Sequence, residues 1–224
     1  MQQFDQAVAR SQESIISTNK VLKNTYMLLS ATLAFSAVMA MVSLFLAVPV
    51  WTYYVALIGG MVLGMFVLPR TANSAAGIGV IFLVTGMLGF GLGAILQLYM
   101  MVPKGPQVIA TAFGGTAAIF LGLSGYALVS RKNFTFMGGF LMAGMMTVLV
   151  AILANLFFAL PALSLAISAG VILLMSGFIL FDTSRIIHGG ETNYIMATYG
   201  LYLSIFNIFI HLLNLLMSFA GGND

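Results

Sequence analysis

Asp182 and His211 are the residues of this chain whose types could do chemistry at membrane depth. Asp182, His188 and Glu191 fall within residues 177–214, and His211 follows inside an apolar run of the same stretch. A carboxylate or imidazole there can pass a proton or face a cation, and ionisable groups in a bilayer are costly and rarely idle. Ser204, Asn207, His211, Asn214 and Ser218 recur at spacings of 3, 4, 3 and 4. On a helix that spacing confines them to an arc of about 80°. Lipid offers such groups no partner, so the stripe must face a bundle interior. It reads either as interhelical hydrogen-bonding glue or as the wall of a polar path in which His211 titrates near neutral pH. Asp182 reads either as an interfacial acid paired with Arg185, three residues on, or as a partly desolvated carboxylate that senses pH. Arg70 is a candidate partner across the bundle.

Other chemistries find no support. The chain has no cysteine, which excludes disulfides and thiolate metal sites. It has no HExxH and no Ser/His/Asp arrangement. His211 has no second histidine nearby, the sixteen methionines are spread out, and no metal or cofactor is expected. GFGLG at 89–93 follows no strand, so it fails the context test for a dinucleotide loop. The expectation is that the protein is not an enzyme.

The elements that position these residues are set by hydropathy. Of 224 residues, 61% are hydrophobic and 6% charged, where a soluble domain carries about 25% charged. The class is an all-α membrane protein. The net charge of +3 comes from single, scattered bases and forms no nucleic-acid patch. Seven apolar runs approach the roughly 20 residues a span needs: 26–48, 51–68, 75–100, 108–129, 134–158, 163–181 and 196–220. The breaks carry Pro49, Pro69, Pro103, Gly105, Pro106, Pro161, Gly189 and Gly190, which mark helix ends. The expected architecture is a seven-transmembrane helix bundle whose striped last helix is strongly packed.

Charge orients the bundle. With the N-terminus inside, Arg10, Lys20, Lys23, Arg70, Arg131, Lys132 and Arg185 are cytoplasmic, and Lys104 stands alone outside. That split is a positive-inside signal. Trp51, Tyr53, Tyr54 and Tyr99 fall at outer boundaries, as interfacial aromatics do. Residues 1–25 then form a cytoplasmic, mobile or weakly helical tail without the apolar core of a signal peptide. Residues 26–220 form the transmembrane domain, and 221–224 a short periplasmic C-terminus. Gly60 with Gly64, Gly89 with Gly93, and Gly114, Gly115, Gly122 and Gly125 read as close helix packing.

FDTSRIIHGGETNYIMATYGLYLSIFNIF at 181–209, KVLKNTYMLLSATLAFSA at 20–37 and FMGGFLMAG at 136–144 resemble the Bax-inhibitor family of membrane proteins. Within it they look like the bacterial branch that modulates the FtsH membrane protease. The likeness runs from Lys20 to the end of the chain. It implies seven helices with the last one central. Some relatives are pH-sensitive calcium leak channels, in which two aspartates share a proton and an arginine latches them. The first aspartate matches Asp182 and the arginine matches Arg70. The second falls where this chain has Ser204, and a shared-proton pair needs two acids.

Two expectations follow. In the first, the protein is a regulator in the bacterial cell inner membrane that binds FtsH, or the membrane-associated regulators around it, and restrains proteolysis. Its cytoplasmic handle is the tail carrying Arg10, Glu13, Lys20 and Lys23, since about 25 extended residues reach about 80 Å. In the alternative, a calcium or proton leak runs along Asp182, Ser204, Asn207 and His211.

Overall fold

The computed structural model describes residues 2–221, with side chains from 18 to 220. Seven helices among the described residues are long and apolar enough to cross a membrane. They are α1 (Gln2–Phe45), α2 (Trp51–Thr71), α3 (Ala76–Met100), α4 (Gly105–Ser130), α5 (Gly138–Phe158), α6 (Pro161–Ile187) and α7 (Tyr194–Gly221). No strand is present among the described residues.

The chain punctuates these helices as its residues dictate. Pro106 and Pro161 occupy the first turns of α4 and α6, where no amide hydrogen is needed. Arg131 and Ala159 close α4 and α5 in the left-handed region, at φ 49° and 48°. Their amides return to Ala127 O at 3.0 Å and Asn155 O at 2.8 Å. A single π-helical turn, Leu63–Val67, widens α2 just before Pro69. Proline cannot donate to a carbonyl four residues back and crowds it sterically, and a wider turn relieves both.

Two boundaries move from their expected places. The helix of the first span begins at Gln2, so the tail expected at 1–25 continues α1 without a break. At about 1.5 Å per residue, the 44 residues of α1 run about 66 Å, well over a hydrocarbon crossing of about 30 Å. The side chains of Arg10 and Glu13 lie outside the described residues, as do residues 222–224 of the expected C-terminal stub. The sixth helix runs on to Ile187, past the 181 expected, so Asp182 sits five residues inside its end.

α7 is the central helix. It packs on α1, α3, α4 and α6 and supplies buried side chains to all four apolar clusters of the bundle. Leu201 and Phe206 meet Leu29, Leu88 and Ile186. Ile208 meets Ile179 and Leu141, Leu213 meets Ala112 and Leu96, and Ile195 meets Leu68 and Ile81. α5 is peripheral, leaning on α6 with Met142, Met146, Leu153 and Phe157 exposed to the lipid side.

α3 is gripped on two faces through small residues. A side chain at Gly89 or Gly93 would run into the backbone of Ser36 or Ala40 on α1, and one at Gly91 into Ala56 of α2. Close helix approach through small residues is the packing device of membranes. The glycines of α4 do not follow suit. Gly114, Gly122 and Gly125 have open space where a Cβ would stand, so they face away from the bundle rather than packing it.

Candidate functional site

The polar side chains gather in two clusters along the seam between α6 and α7, with an apolar plug between them. The first lies where α6 ends and α7 begins. Asp182 points across to α7, where a Cβ on Gly200 would stand 2.9 Å from its Oδ2. No hydrogen bond or ion pair engages the Asp182 carboxylate among the described residues.

The partners expected for Asp182 are committed elsewhere. Arg185 donates to Glu191 Oε2 at 3.2 Å and lies over the Phe181 ring, 5.5 Å from its centroid. Arg70 is exposed and donates to Phe66 O of its own helix at 2.6 Å. Ser204 is buried, and its hydroxyl donates to Gly200 O at 3.1 Å rather than to Asp182. A residue at position 204 is therefore one turn beyond the carboxylate, and its hydroxyl is consumed by its own helix.

Around Asp182 the neighbouring helices are cross-linked by hydroxyls. The Tyr26 hydroxyl bonds Ser124 Oγ and stands 3.4 Å from Thr183 Oγ1, joining α1, α4 and α6. Thr198 of α7 donates to Thr25 O of α1 at 3.2 Å. Ser184 accepts from the Phe134 amide at 2.9 Å and donates to Lys132 O at 3.3 Å, which fixes the α4–α5 loop. His188 Nδ1 donates to Ser184 O at 2.8 Å, closing the end of α6.

Asn193 ties the loops at this end together. Its Oδ1 accepts the amides of Ile195 and Met196 at 2.9 and 3.1 Å, so it caps α7 as asparagine favours. Its Nδ2 donates to Ala72 O at 3.0 Å and Asn73 Oδ1 at 2.8 Å. The α6–α7 loop is thereby bolted to the loop between α2 and α3.

The second cluster lies toward the other end of the seam. Ser168 Oγ accepts from Asn214 Nδ2 at 2.9 Å and lies 3.0 Å from His211 Nδ1. With one hydrogen and two lone pairs, the Ser168 hydroxyl can engage Asn214 and His211 at once. Ser168 is 1% exposed, so this serine–histidine contact offers no substrate an approach. His211 and Asn214 are interhelical ties, as one of the two readings of the stripe expects. Asn207 turns back to Leu203 O at 2.8 Å, and Ser218 is exposed.

Between the clusters the seam is closed by Val171, Met175, Ile179 and Ile208. Ile179 and Ile208 are both 0% exposed. Fourteen helical residues separate Ser168 from Asp182, about 21 Å, and the polar groups do not join across that gap. Lys20 and Lys23, expected as part of a cytoplasmic handle, are exposed on α1. No group of three His, Asp or Glu residues converges among the described residues to hold a metal.

A third polar contact lies deep in the bundle and was not picked out from the sequence. Tyr202, 1% exposed, donates to Thr85 O at 3.2 Å and receives the Ser36 hydroxyl at 2.7 Å. It fastens α1, α3 and α7 at one point. Gly200 was missed as well, although it stands four residues before Ser204 in the register of the polar stripe.

Comparison with known proteins bears on the whole chain. The profile of the family described as inhibitor of apoptosis-promoting Bax1 matches residues 18–221. A protein of Escherichia coli strain K12 named modulator of FtsH protease YccA is 52% identical over 95% of this chain and 97% of its own. The counterpart in a second Escherichia coli strain is named inner membrane protein YccA. An uncharacterised protein of Pseudomonas aeruginosa is 48% identical over 99% of this chain and 97% of its own. An uncharacterised membrane protein of Vibrio cholerae is 47% identical over 96% of both.

Proposed function

This chain belongs to the Bax-inhibitor family, and from that membership we propose that it is an inner-membrane regulator that binds the FtsH protease and restrains its action on other membrane proteins. The observation that carries this reading is the likeness, over nearly the full length of both chains, to the Escherichia coli protein named as a modulator of that protease. The site geometry is in keeping with it. Ser168, His211 and Asn214 tie α6 to α7, Ser204 and Asn207 bond back to their own helix, and the contact of Ser168 with His211 is sealed from substrate.

The charge distribution supports a cytoplasmic N-terminus and a periplasmic C-terminus. α1 then extends beyond the bilayer on the cytoplasmic side, since it starts at Gln2 and its apolar run opens only at Tyr26. That extension is the handle by which a cytosolic protease ring would meet the chain. The decisive experiment is an affinity isolation of the tagged chain from native membranes under mild solubilisation. FtsH, alone or with its membrane-associated regulators, is the expected co-isolate. An isolate free of the protease removes the proposal.

A second reading, a calcium or proton leak, is favoured by one observation. Asp182 is an acid turned toward the central helix with no cation within ion-pair distance among the described residues. The apolar plug at Ile179 and Ile208 stands against a continuous path in this arrangement.

A further inference from the structure

α1 and α2 both pack along α3, and the space left between them over α3 is a groove of about 630 Å³. That volume falls in the range of roughly 300–1,000 Å³ typical of small-molecule sites. Such sites usually hold a few convergent polar groups that fix a ligand's orientation. This one does not. Its walls are Phe35 and Met39 of α1, Val55 of α2, and Phe82, Leu83 and Phe90 of α3. Polar atoms enter only at one end, with the Trp51 indole and the Thr52 hydroxyl, and the hydroxyl is already donated to Pro49 O at 2.6 Å.

We propose that this groove binds one acyl chain of a phospholipid, with the glycerol and headgroup at Trp51. The walls belong to membrane-spanning helices, so an occupant meets them from hydrocarbon. The groove follows α3 from Gly79 to Phe90, about 16 Å at 1.5 Å per residue. Gly79 lies one turn from the start of α3 and Trp51 at the start of α2, on the opposite membrane boundary, so the groove runs through most of the roughly 30 Å hydrocarbon core and one extended acyl chain can follow it. Its floor at Gly79 has open space where a Cβ would stand, so an unbranched chain can lie against the backbone there. A partner helix of about 10 Å diameter would rest on the two walls and leave this floor empty. Met39 and Met87 line the sides, and flexible thioethers adapt to a chain without fixed shape. Trp51 is 62% exposed at the mouth, in the interfacial position where tryptophan meets lipid headgroups.

The test is native mass spectrometry of the full chain purified from membranes in a mild detergent. The wild type is expected to carry one phospholipid. Gly79→Phe fills the groove from its open floor, and Leu83→Trp narrows it from a wall. Each is expected to lower the lipid-bound fraction about tenfold, the change that about 1.4 kcal/mol of lost binding produces. Gly122→Phe, at an equally open glycine on α4, is expected to keep the lipid. Circular dichroism and melting temperature of the three variants report that the bundle is intact. Equal lipid retention in the wild type, Gly79→Phe and Leu83→Trp overturns the proposal. So does a wild type that carries no lipid, or one that carries an isoprenoid quinone or a bound polypeptide in its place.

Discussion

The carboxylate of Asp182 rests on the bare backbone of Gly200, so that a Cβ at position 200 would stand 2.9 Å from Oδ2. The absence of a side chain on α7 therefore makes the space in which the acid of α6 is held. Gly200→Ala is expected to destabilise the bundle by about 1–3 kcal/mol, the usual cost of overpacking a fitted site. Adding Asp182→Ala to the same chain removes the collision. The two substitutions should couple by about 0.5–3 kcal/mol in a double-mutant cycle read by reversible unfolding in detergent. Additive effects would mean that Asp182 does not depend on position 200.

Tyr202 is the buried fastener of α1, α3 and α7. Tyr202→Phe keeps the ring, which stacks on Phe206 at 6.0 Å between centroids, and removes the hydroxyl that Ser36 and Thr85 share. Interhelical hydrogen bonds in membranes contribute about 0.6 kcal/mol on average and up to about 1.7. The loss is expected near the upper end, since the buried Ser36 hydroxyl loses its acceptor and the Thr85 carbonyl its second donor. Ser36→Ala should cost less, because Tyr202 keeps Thr85 O. A thermal melt that ranks Ser36→Ala below Tyr202→Phe contradicts this order.

Asn193 supports two structures with one side chain, and the two can be separated. Asn193→Asp keeps the acceptor that caps α7 and loses the donor that holds Ala72 and Asn73. Asn193→Ala loses both, and a lost N-cap costs about 1 kcal/mol. Hydrogen exchange is expected to rise in residues 71–76 for both variants, and in the first turn of α7 for Asn193→Ala alone. Equal exchange in the two variants would show that capping and loop anchoring are one event.

What the sequence made legible follows from which forces are local. The seven spans are readable because each apolar run is broken by proline, glycine or clustered charge, and hydrocarbon demands helices of that length. The central place of the last helix is readable from its stripe, since polar groups on one face require a protein neighbour. The resemblance at 181–209 pointed to the family that the profile then matched. The pairing of Arg70 with Asp182 was not readable and is not made. A π turn between Leu63 and Val67 shifts the helical phase of everything after it, and a periodicity count carries no sign of that shift. Tyr202 was hidden for another reason. Within Leu201-Tyr202-Leu203 it passes for an apolar residue, and its partners Ser36 and Thr85 are far away in the chain.

The N-terminal extension of α1 tests the proposed partnership from the chain's own side. If a cytosolic ATPase ring engages the protein, it needs a segment clear of the bilayer, and the polar start of α1, ahead of the apolar run that opens at Tyr26, offers one. A chain lacking residues 1–18 is expected to be a poor substrate of purified FtsH in reconstituted membranes, with turnover lowered about tenfold or more, a barrier change of about 1.4 kcal/mol. Turnover equal to that of the full chain would place the recognition element elsewhere.

The leak reading makes its own demand on the plug at Ile179 and Ile208. As folded, these side chains leave no polar connection between Asp182 and the Ser168–His211–Asn214 cluster. Liposomes carrying the wild-type chain are therefore expected to release calcium at neutral pH no faster than empty liposomes. A leak requires that the seam between α6 and α7 open, and the carboxylate of Asp182, unpaired among the described residues, is the group placed to couple that opening to pH. Acidification would then change the flux in the wild type, and Asp182→Asn, which keeps the shape and removes the titration, would make the flux independent of pH. Ile179→Ser tests the plug itself by placing a hydroxyl in the closed stretch, and under the leak reading it raises the neutral-pH flux. No flux above empty liposomes in any of the three chains, from acid to neutral pH, removes the leak and leaves the seam as a structural tie.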